Sequence, residues 1–393
     1  MTFAFSQQEL CRRSVNSVKY SLGADHKPLH PDDIPMWVAD CDYATPQCVI
    51  EAIQKRLSHP ILGYDLPPSD LFSSFCTWAG KHYDGGHLYT PELCSTCPSV
   101  VVAFTQCIQA FSVGNVTISV PCYPPFMNQP KKLGRKVLLN QLVPSNESIF
   151  KIDFDNLESS FKNSDCYLLC NPMNPSGESF NRAELDKIAE LAAKYDVFVI
   201  SDEIHADLRL DTSIKHQTFA PSAQKHGCRA AVCFAPSKTF NMAGMVTSIV
   251  AFLDHESKQR FGNQLSRTGI HGINCLGGVA ARAAYLEGEP WLEETLVLLR
   301  GNVELVEERL SGFENFIKVY RPKFGFLIWL DCSGIGDTQE INQFFKGAHV
   351  IPCSAGYFFD GSEHCVRLNV GCRREVVVEA LDRIMNGLKE LSK

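Results

Sequence analysis

The stretch that decides the fold is Ala235-Pro-Ser-Lys238-Thr-Phe-Asn-Met-Ala-Gly244. It leaves a short apolar run, Ala230 to Phe234, whose length and composition predict a buried strand. A lysine beside a serine, passing from a strand into a Gly/Ala-rich turn, is an amine held in place rather than waved in solvent. In a confined apolar setting its ammonium form is disfavoured, so it can attack a carbonyl and form an imine. Taken alone, a lysine in a loop is better read as a surface residue. Its company on neighbouring strand ends changes that.

Working outward, residues 93 to 253 alternate between short apolar runs and helical segments. The expected strands are Leu93–Cys97, Val116–Val120, Lys136–Leu139, Cys166–Cys170, Val197–Ser201, Ala230–Phe234 and Val246–Leu253. Helices are expected over Val100–Phe111 and Asn181–Tyr195, the second opened by a capping box of Asn181 and Glu184. Such alternation predicts an α/β fold with a mostly parallel, doubly wound sheet covered on both faces. Upstream, the first thirty residues have no strong period and are expected to form an arm. Ile34 to Asp40 is extended, Thr45-Pro46 signals a helix start with Thr45 as cap, and Ser69 is expected to cap a second helix through about His82. Beyond Glu289-Pro290 the texture changes to a long helix (Trp291 to about Leu310), strands near 317–320, 325–331, 350 and 366–369, and a closing helix from Arg373 to Leu391. The expected division is a large domain over 46–289 and a smaller α+β domain built from 1–45 and 290–393.

Composition excludes several functions. With 393 residues, 45% hydrophobic and 21% charged, the chain has ordinary globular composition, and its net charge of -7 without a long basic run argues against nucleic acid as a partner. Lys131, Lys132, Arg135 and Lys136 read as a solvated turn. No apolar run is long enough to span a membrane. Seventeen cysteines without a secretory signal favour a reducing, cytoplasmic setting, where free thiols in apolar runs act as small hydrophobes. Cys94 and Cys97 form one CxxC with no second pair at zinc spacing, so no metal site is expected.

In a doubly wound sheet, ligands bind at the carboxyl ends of the strands, and the informative residues fall there repeatedly. Asp202 directly follows the run Val197 to Ser201, 36 residues before Lys238. If a pyridine ring lay between the two, the carboxylate would keep the ring nitrogen protonated and make the ring an electron sink. Asn174, in the rigid turn Asn171-Pro-Met-Asn-Pro-Ser-Gly177, is aimed at the same rim and could donate to a phenolate oxygen. Tyr123 follows Val116–Val120 and could stack on a ring face, or simply pack in its loop. Pro98-Ser99-Val100 opens a helix, where free amides accept phosphate, with Ser99 and Ser237 as possible hydroxyl donors. Arg367 sits in an otherwise apolar strand and wants a planar acid partner: either a substrate carboxylate or an internal Asp or Glu. Together these groups describe a site for pyridoxal 5′-phosphate (PLP).

With those residues assembled, the chain resembles the fold-type I PLP enzymes of the aspartate aminotransferase superfamily, and within them the MalY/PatB group of cystathionine and cysteine-conjugate β-lyases. The resemblance covers nearly the whole chain. It is carried by Met36-Trp-Val-Ala-Asp-Cys-Asp-Tyr-Ala-Thr-Pro46, Gly63-Tyr64, Asn174-Pro-Ser-Gly177, Ser201-Asp-Glu-Ile-His205, Ser237-Lys-Thr-Phe-Asn-Met-Ala-Gly244 and Val366-Arg-Leu-Asn-Val-Gly-Cys372. It implies Lys238 as the imine lysine and proton-moving base, Asp202 on the pyridine nitrogen, Asn174 on the ring oxygen and Tyr123 on the ring face. Ser99, Val100 and Ser237 would sit at the cofactor phosphate, and Arg367, with Asn174 and Val38, at the substrate amino acid. Tyr64 would reach the phosphate of a neighbouring subunit, which makes a homodimer part of the site. His205 stands where transaminases usually carry a tyrosine, Val246 where they carry a phosphate-binding arginine, and Ser99 where the group commonly has glycine. The implied reaction is α,β-elimination on an L-amino acid with sulfur at Cβ, such as cystathionine, giving pyruvate, ammonia and a thiol. The alternatives are an aminotransferase on the same scaffold and a regulatory protein that binds a partner.

Overall fold

The computed structural model describes residue 5, residues 10–143 and residues 150–393; the remainder of the expected N-terminal arm, residues 1–4 and 6–9, lies outside the described residues. The strands that matter here are β1 (Ile34–Met36), β2 (Cys94–Cys97), β3 (Val116–Val120), β4 (Val137–Gln141), β5 (Cys166–Cys170), β6 (Phe198–Asp202), β7 (Ala230–Phe234), β8 (Ser248–Phe252), β9 (Lys318–Tyr320), β10 (Leu327–Asp331), β11 (Val350–Pro352) and β12 (Cys365–Asn369).

Seven of them form the central sheet in the order β2-β8-β7-β6-β5-β3-β4. Only β8 runs against its neighbours; β7, β6, β5, β3 and β4 are parallel. The β-branched and aromatic composition of these strands suits a sheet buried on both faces. Alternation divides them cleanly: Val199 of β6 packs into one apolar cluster, while Phe198 and Ile200 pack into the other. Helix α1 (Val100–Phe111) covers the second face, with Phe111 stacked on Phe198 at a centroid distance of 3.7 Å. Helix α2 (Arg182–Lys194) covers the first, and its start is the expected capping box of Asn181 and Glu184.

Because six strands run one way, their carboxyl ends share one rim. Register fixes the alignment there: Cys170 pairs with Asp202, and Asp202 with Cys233. The turn after β5 needs its glycine. Gly177 has φ +71°, and a Cβ there would come within 2.4 Å of the Phe324 carbonyl oxygen.

A three-stranded antiparallel sheet, β9-β10-β12, carries the C-terminal portion. Strand β1 pairs in parallel with β11, which ties the N-terminal segment to that portion and leads the chain on to residues 37–42.

Several local expectations change. Thr45 is not a helix cap: its hydroxyl donates to the Asn241 carbonyl at 2.8 Å, and Pro46 occupies the cap position before the helix Gln47–Leu57. Asp70, not Ser69, precedes the helix Leu71–His82. Lys131 and Lys132 end a helix, Pro124–Lys132, rather than a turn. Val246 lies outside β8 in a left-handed turn with φ +50°. The CxxC cysteines cannot act as a pair, since Cys94 and Cys97 enter clusters on opposite faces of the sheet. None of the seventeen cysteines is disulfide-bonded among the described residues. Among the same residues no helix is long and apolar enough to cross a membrane.

Candidate active site

A cavity of about 340 Å³ opens at the carboxyl rim of the central sheet, between it and β12. Its lining contains Lys238, Ser237, Asp202, His205, Asn174 and Tyr123, together with Ser99, Val100, Val38 and Arg367. Ten of the eleven site residues expected from sequence therefore meet in one place. The exception is Tyr64, which is fully exposed and lines a separate cavity with Arg56, Asp65 and Arg282.

Each residue arrives by a simple route. Asp202 is the last residue of β6, Asn174 follows β5, Tyr123 follows β3 and Lys238 follows β7 by one helical turn, Pro236–Thr239. Ser99 caps α1, its Oγ accepting the Val102 N–H at 3.2 Å, so the hydroxyl hydrogen remains free to donate. The amino end of that twelve-residue helix faces the cavity through Ser99, Val100 and Val101, where unsatisfied N–H groups and the helix dipole favour an anion.

The electrostatics are those of a site awaiting a charged partner. Burial pushes the Asp202 carboxyl up to about 7, against the Ile204 N–H bond of 3.1 Å and the nearby Lys238, which both favour its charge. Burial lowers the Lys238 ammonium, Arg367 adds to that, and Asp40 opposes it; Nζ donates to the Ala39 carbonyl at 2.5 Å. His205 is 4% exposed, held neutral by burial, Lys238 and Arg367 with its pKa down to about 3, and its Nδ1 has no hydrogen-bond partner among the described residues. The Tyr123 phenol is pushed up to about 12 by burial and the Asp202 charge.

Arg367 is the most telling residue. It is 4% exposed, yet no carboxylate lies within ion-pair distance of it among the described residues. Its guanidinium donates to Asn174 Oδ1 (2.8 Å), the Trp37 carbonyl (2.6 Å) and Cys353 Sγ (3.2 Å), stacks 4.9 Å from the Phe358 ring centroid, and leaves Nε unpartnered. A buried guanidinium held only by neutral acceptors lacks the anion that would offset its desolvation. Among the described residues, then, no internal Asp or Glu serves as the acid partner considered from sequence. The bond to Arg367 also orients Asn174: with Oδ1 occupied, its amide N–H₂ is the end left for a ligand.

The donor set fits PLP. A cationic nitrogen would meet Asp202, an anionic phosphate would meet the amino end of α1, and an aldehyde would lie within reach of an amine of lowered pKa. Sequence reasoning missed the front wall. Trp37 and Ala39 act through carbonyl oxygens, which no side-chain pattern reports, and Cys353 and Tyr357 line the cavity from a turn after β11. Asn241, inside the lysine stretch, adopts φ +49° and bonds Cys41 N, Cys41 O and Tyr43 O, pinning that wall to the lysine turn.

One consequence concerns stability. A carboxyl whose pKa is raised by folding stabilises the native state below its unfolded pKa and loses that contribution as pH rises toward about 7. In cofactor-free protein, Asp202→Asn is therefore expected to raise stability at pH 8 by on the order of 2 kcal/mol, the gain vanishing toward pH 4. Thermal melts of cofactor-stripped parent and variant across that range check it; an unchanged difference at all pH values would contradict the placement.

Comparison with known proteins identifies the family. The family model for aminotransferase class I and II matches residues 31–384. Cystathionine beta-lyase PatB of Bacillus subtilis (strain 168) is 36% identical over 363 residues, covering 91% of this chain and 93% of that protein. Among solved structures, cystalysin from Treponema denticola, which contains a pyridoxal 5′-phosphate cofactor, superposes with a TM-score of 0.92 at 26% identity over the whole of both chains. The PLP-bound C-S lyase from Staphylococcus hominis superposes at 0.89 with 26% identity, covering 99% of this chain and 98% of that one. A doubly wound sheet whose strand ends converge on one lysine, and a sequence match running almost end to end, place this chain in the aminotransferase class I and II family.

Proposed function

We propose that this chain is a PLP-dependent carbon–sulfur β-lyase, acting on L-cystathionine or a related cysteine S-conjugate. The observation that carries it is the buried Arg367, without an acid partner among the described residues, in one cavity with Lys238 and Asp202. A substrate α-carboxylate is the planar anion this fork lacks. PLP, when bound, supplies an aldehyde that captures amines and a cationic ring that stores the electron pair left at Cα.

The chain's own residues do the rest. Asp202 would hold the positive charge on the ring nitrogen, and the Asn174 amide would donate to the ring oxygen. Tyr123 would cover a ring face, while Ser99, Val100 and Ser237 would hold the phosphate. Arg367 anchors the substrate carboxylate beside Val38, turning the Cα–H bond toward Lys238. Lys238, its ammonium already disfavoured by burial, takes the Cα proton at Nζ. A thiolate is a good leaving group, so the protein mainly supplies orientation. Tyr64, exposed beside a second cavity, would complete the phosphate site of a neighbouring copy in a homodimer. Residues 46–289 would form the cofactor domain, and 1–45 with 290–393 the smaller domain that brings Arg367. The unpaired thiols suit a cytoplasmic enzyme.

Aminotransfer is the rival outcome on this scaffold. His205 and Val246 stand where transaminases carry tyrosine and arginine, which supports elimination. Incubating purified protein with L-cystathionine and no keto acid should release pyruvate, ammonia and homocysteine in equal amounts. Consumption of cystathionine only when a keto acid is added would replace this proposal with a transaminase.

A further inference from the structure

The front wall of the cavity is main chain. Carbonyls of Trp37 and Ala39 accept from Arg367 and Lys238, at 2.6 and 2.5 Å. The chain that follows is fixed by Asn369, whose amide donates to the Val38 and Asp40 carbonyls, and by an ionic cluster on the Asp40 and Asp42 side chains. Lys19 is a lysine with only 1% of its side chain exposed; its Nζ lies 2.8 Å from Asp42 Oδ2 and 3.9 Å from Asp40 Oδ1. Arg12 bridges the same two acids, at 2.7 Å to each. Tyr20 donates to Asp42 at 2.9 Å, and the Trp37 indole donates back to the Lys19 carbonyl at 3.3 Å. Val18, next in chain, lines the cavity while remaining 58% exposed, so the same segment reaches the mouth of the site.

Stability alone is a poor reason for such a cluster. A buried ion pair roughly breaks even against apolar residues of similar size. Ion pairs differ from apolar contacts in fixing direction and register, and displacement of a reacting group by about 1 Å can cost on the order of 100-fold in rate. We infer that Lys19 and Arg12 are positioning residues of the active site: by clamping Asp40 and Asp42 they hold the 37–39 main chain against Arg367 and Lys238, and make the segment around Val18 the outer wall of the substrate cavity. This rests on the lyase function proposed above.

The test uses PLP-loaded protein carrying Lys19→Met or Arg12→Gln, with Lys194→Ala, which breaks an exposed pair with Glu158, as control. Three quantities are read: KM and kcat for an S-alkylcysteine, amide hydrogen exchange over residues 37–42, and melting temperature. Both variants are expected to raise KM by about tenfold, with kcat falling less, and to speed exchange over 37–42 by about tenfold. The control changes none of these. Should Lys19→Met fail to fold, Arg12→Gln, at a half-buried position on the cluster's edge, decides the matter. KM and exchange within about twofold of the parent, or activity lost only in proportion to unfolded protein with KM unchanged, would overturn the inference. If the parent itself forms no pyruvate, the lyase proposal fails, while the exchange measurement still judges the clamp.

Discussion

Lys238→Ala is expected to lose turnover by roughly 10⁴-fold while the protein stays folded. A positioned general base alone contributes about 10²–10⁴, and here the same amine is also the proposed covalent anchor of the cofactor. Folding should survive because Lys238 gives the native state little. Its pKa is lowered on burial, so holding it charged in the cavity costs free energy. What is lost is one bond to the Ala39 carbonyl, worth about 1 kcal/mol. The melting temperature should therefore not fall appreciably, and the visible absorbance of lysine-linked cofactor should vanish. Steady-state kinetics, a visible spectrum and a melt check the three statements separately. Turnover within about tenfold of the parent would remove Lys238 from the chemistry.

Arg367→Lys should lower kcat/KM by about 100-fold or more, close to 3 kcal/mol, with most of the change in KM. The substitution keeps the charge and discards the fork. A guanidinium can bond Asn174, the Trp37 carbonyl and Cys353 and still offer N–H groups to a carboxylate, whereas an ammonium has three donors on a flexible stem. Because Asn174 is oriented by its bond to Arg367, the variant should also weaken cofactor retention. Measuring KM alongside the PLP dissociation constant separates the two effects. A KM within about twofold of the parent would mean that the buried guanidinium serves the fold and not a substrate.

Much of this site was legible in the sequence because of where its residues fall. Asp202, Asn174, Tyr123, Ser99 and Lys238 each follow an apolar run of strand length, and a parallel sheet delivers every such position to one rim. Sequence could place them on the rim without any knowledge of side-chain contacts. Boundaries marked by side-chain capping, such as Asn181 with Glu184, were equally readable.

Other features had no signal of that kind. The helix His255–Arg267 is polar almost throughout, with Phe261 and Leu265 its buried apolar residues, so no apolar stripe announced it. The helix Cys275–Glu287 carries Gly277 and Gly278 in its first turn, residues that favour no helix by themselves. They are there because the chain approaches closely: a Cβ on Gly277 would come within 2.1 Å of Thr247 Oγ1. Thr45 looked like a cap and instead bonds Asn241, a partner 196 residues away. The part played by Trp37 and Ala39 belongs to carbonyl oxygens of the segment that follows β1, which no side-chain pattern reports. Whether Arg367 faced an internal acid or a ligand depended on what surrounds it in space, which the chain's order does not state.

The central claim is that Lys238 and Asp202 grip opposite edges of one cofactor. Its most direct test is borohydride reduction of the PLP-loaded protein followed by digestion and mass spectrometry. The account predicts a single pyridoxyl group, carried by the peptide that contains Lys238 and absent when Asp202→Ala protein is treated at limiting PLP. A pyridoxyl group on any other lysine of the parent protein would contradict it.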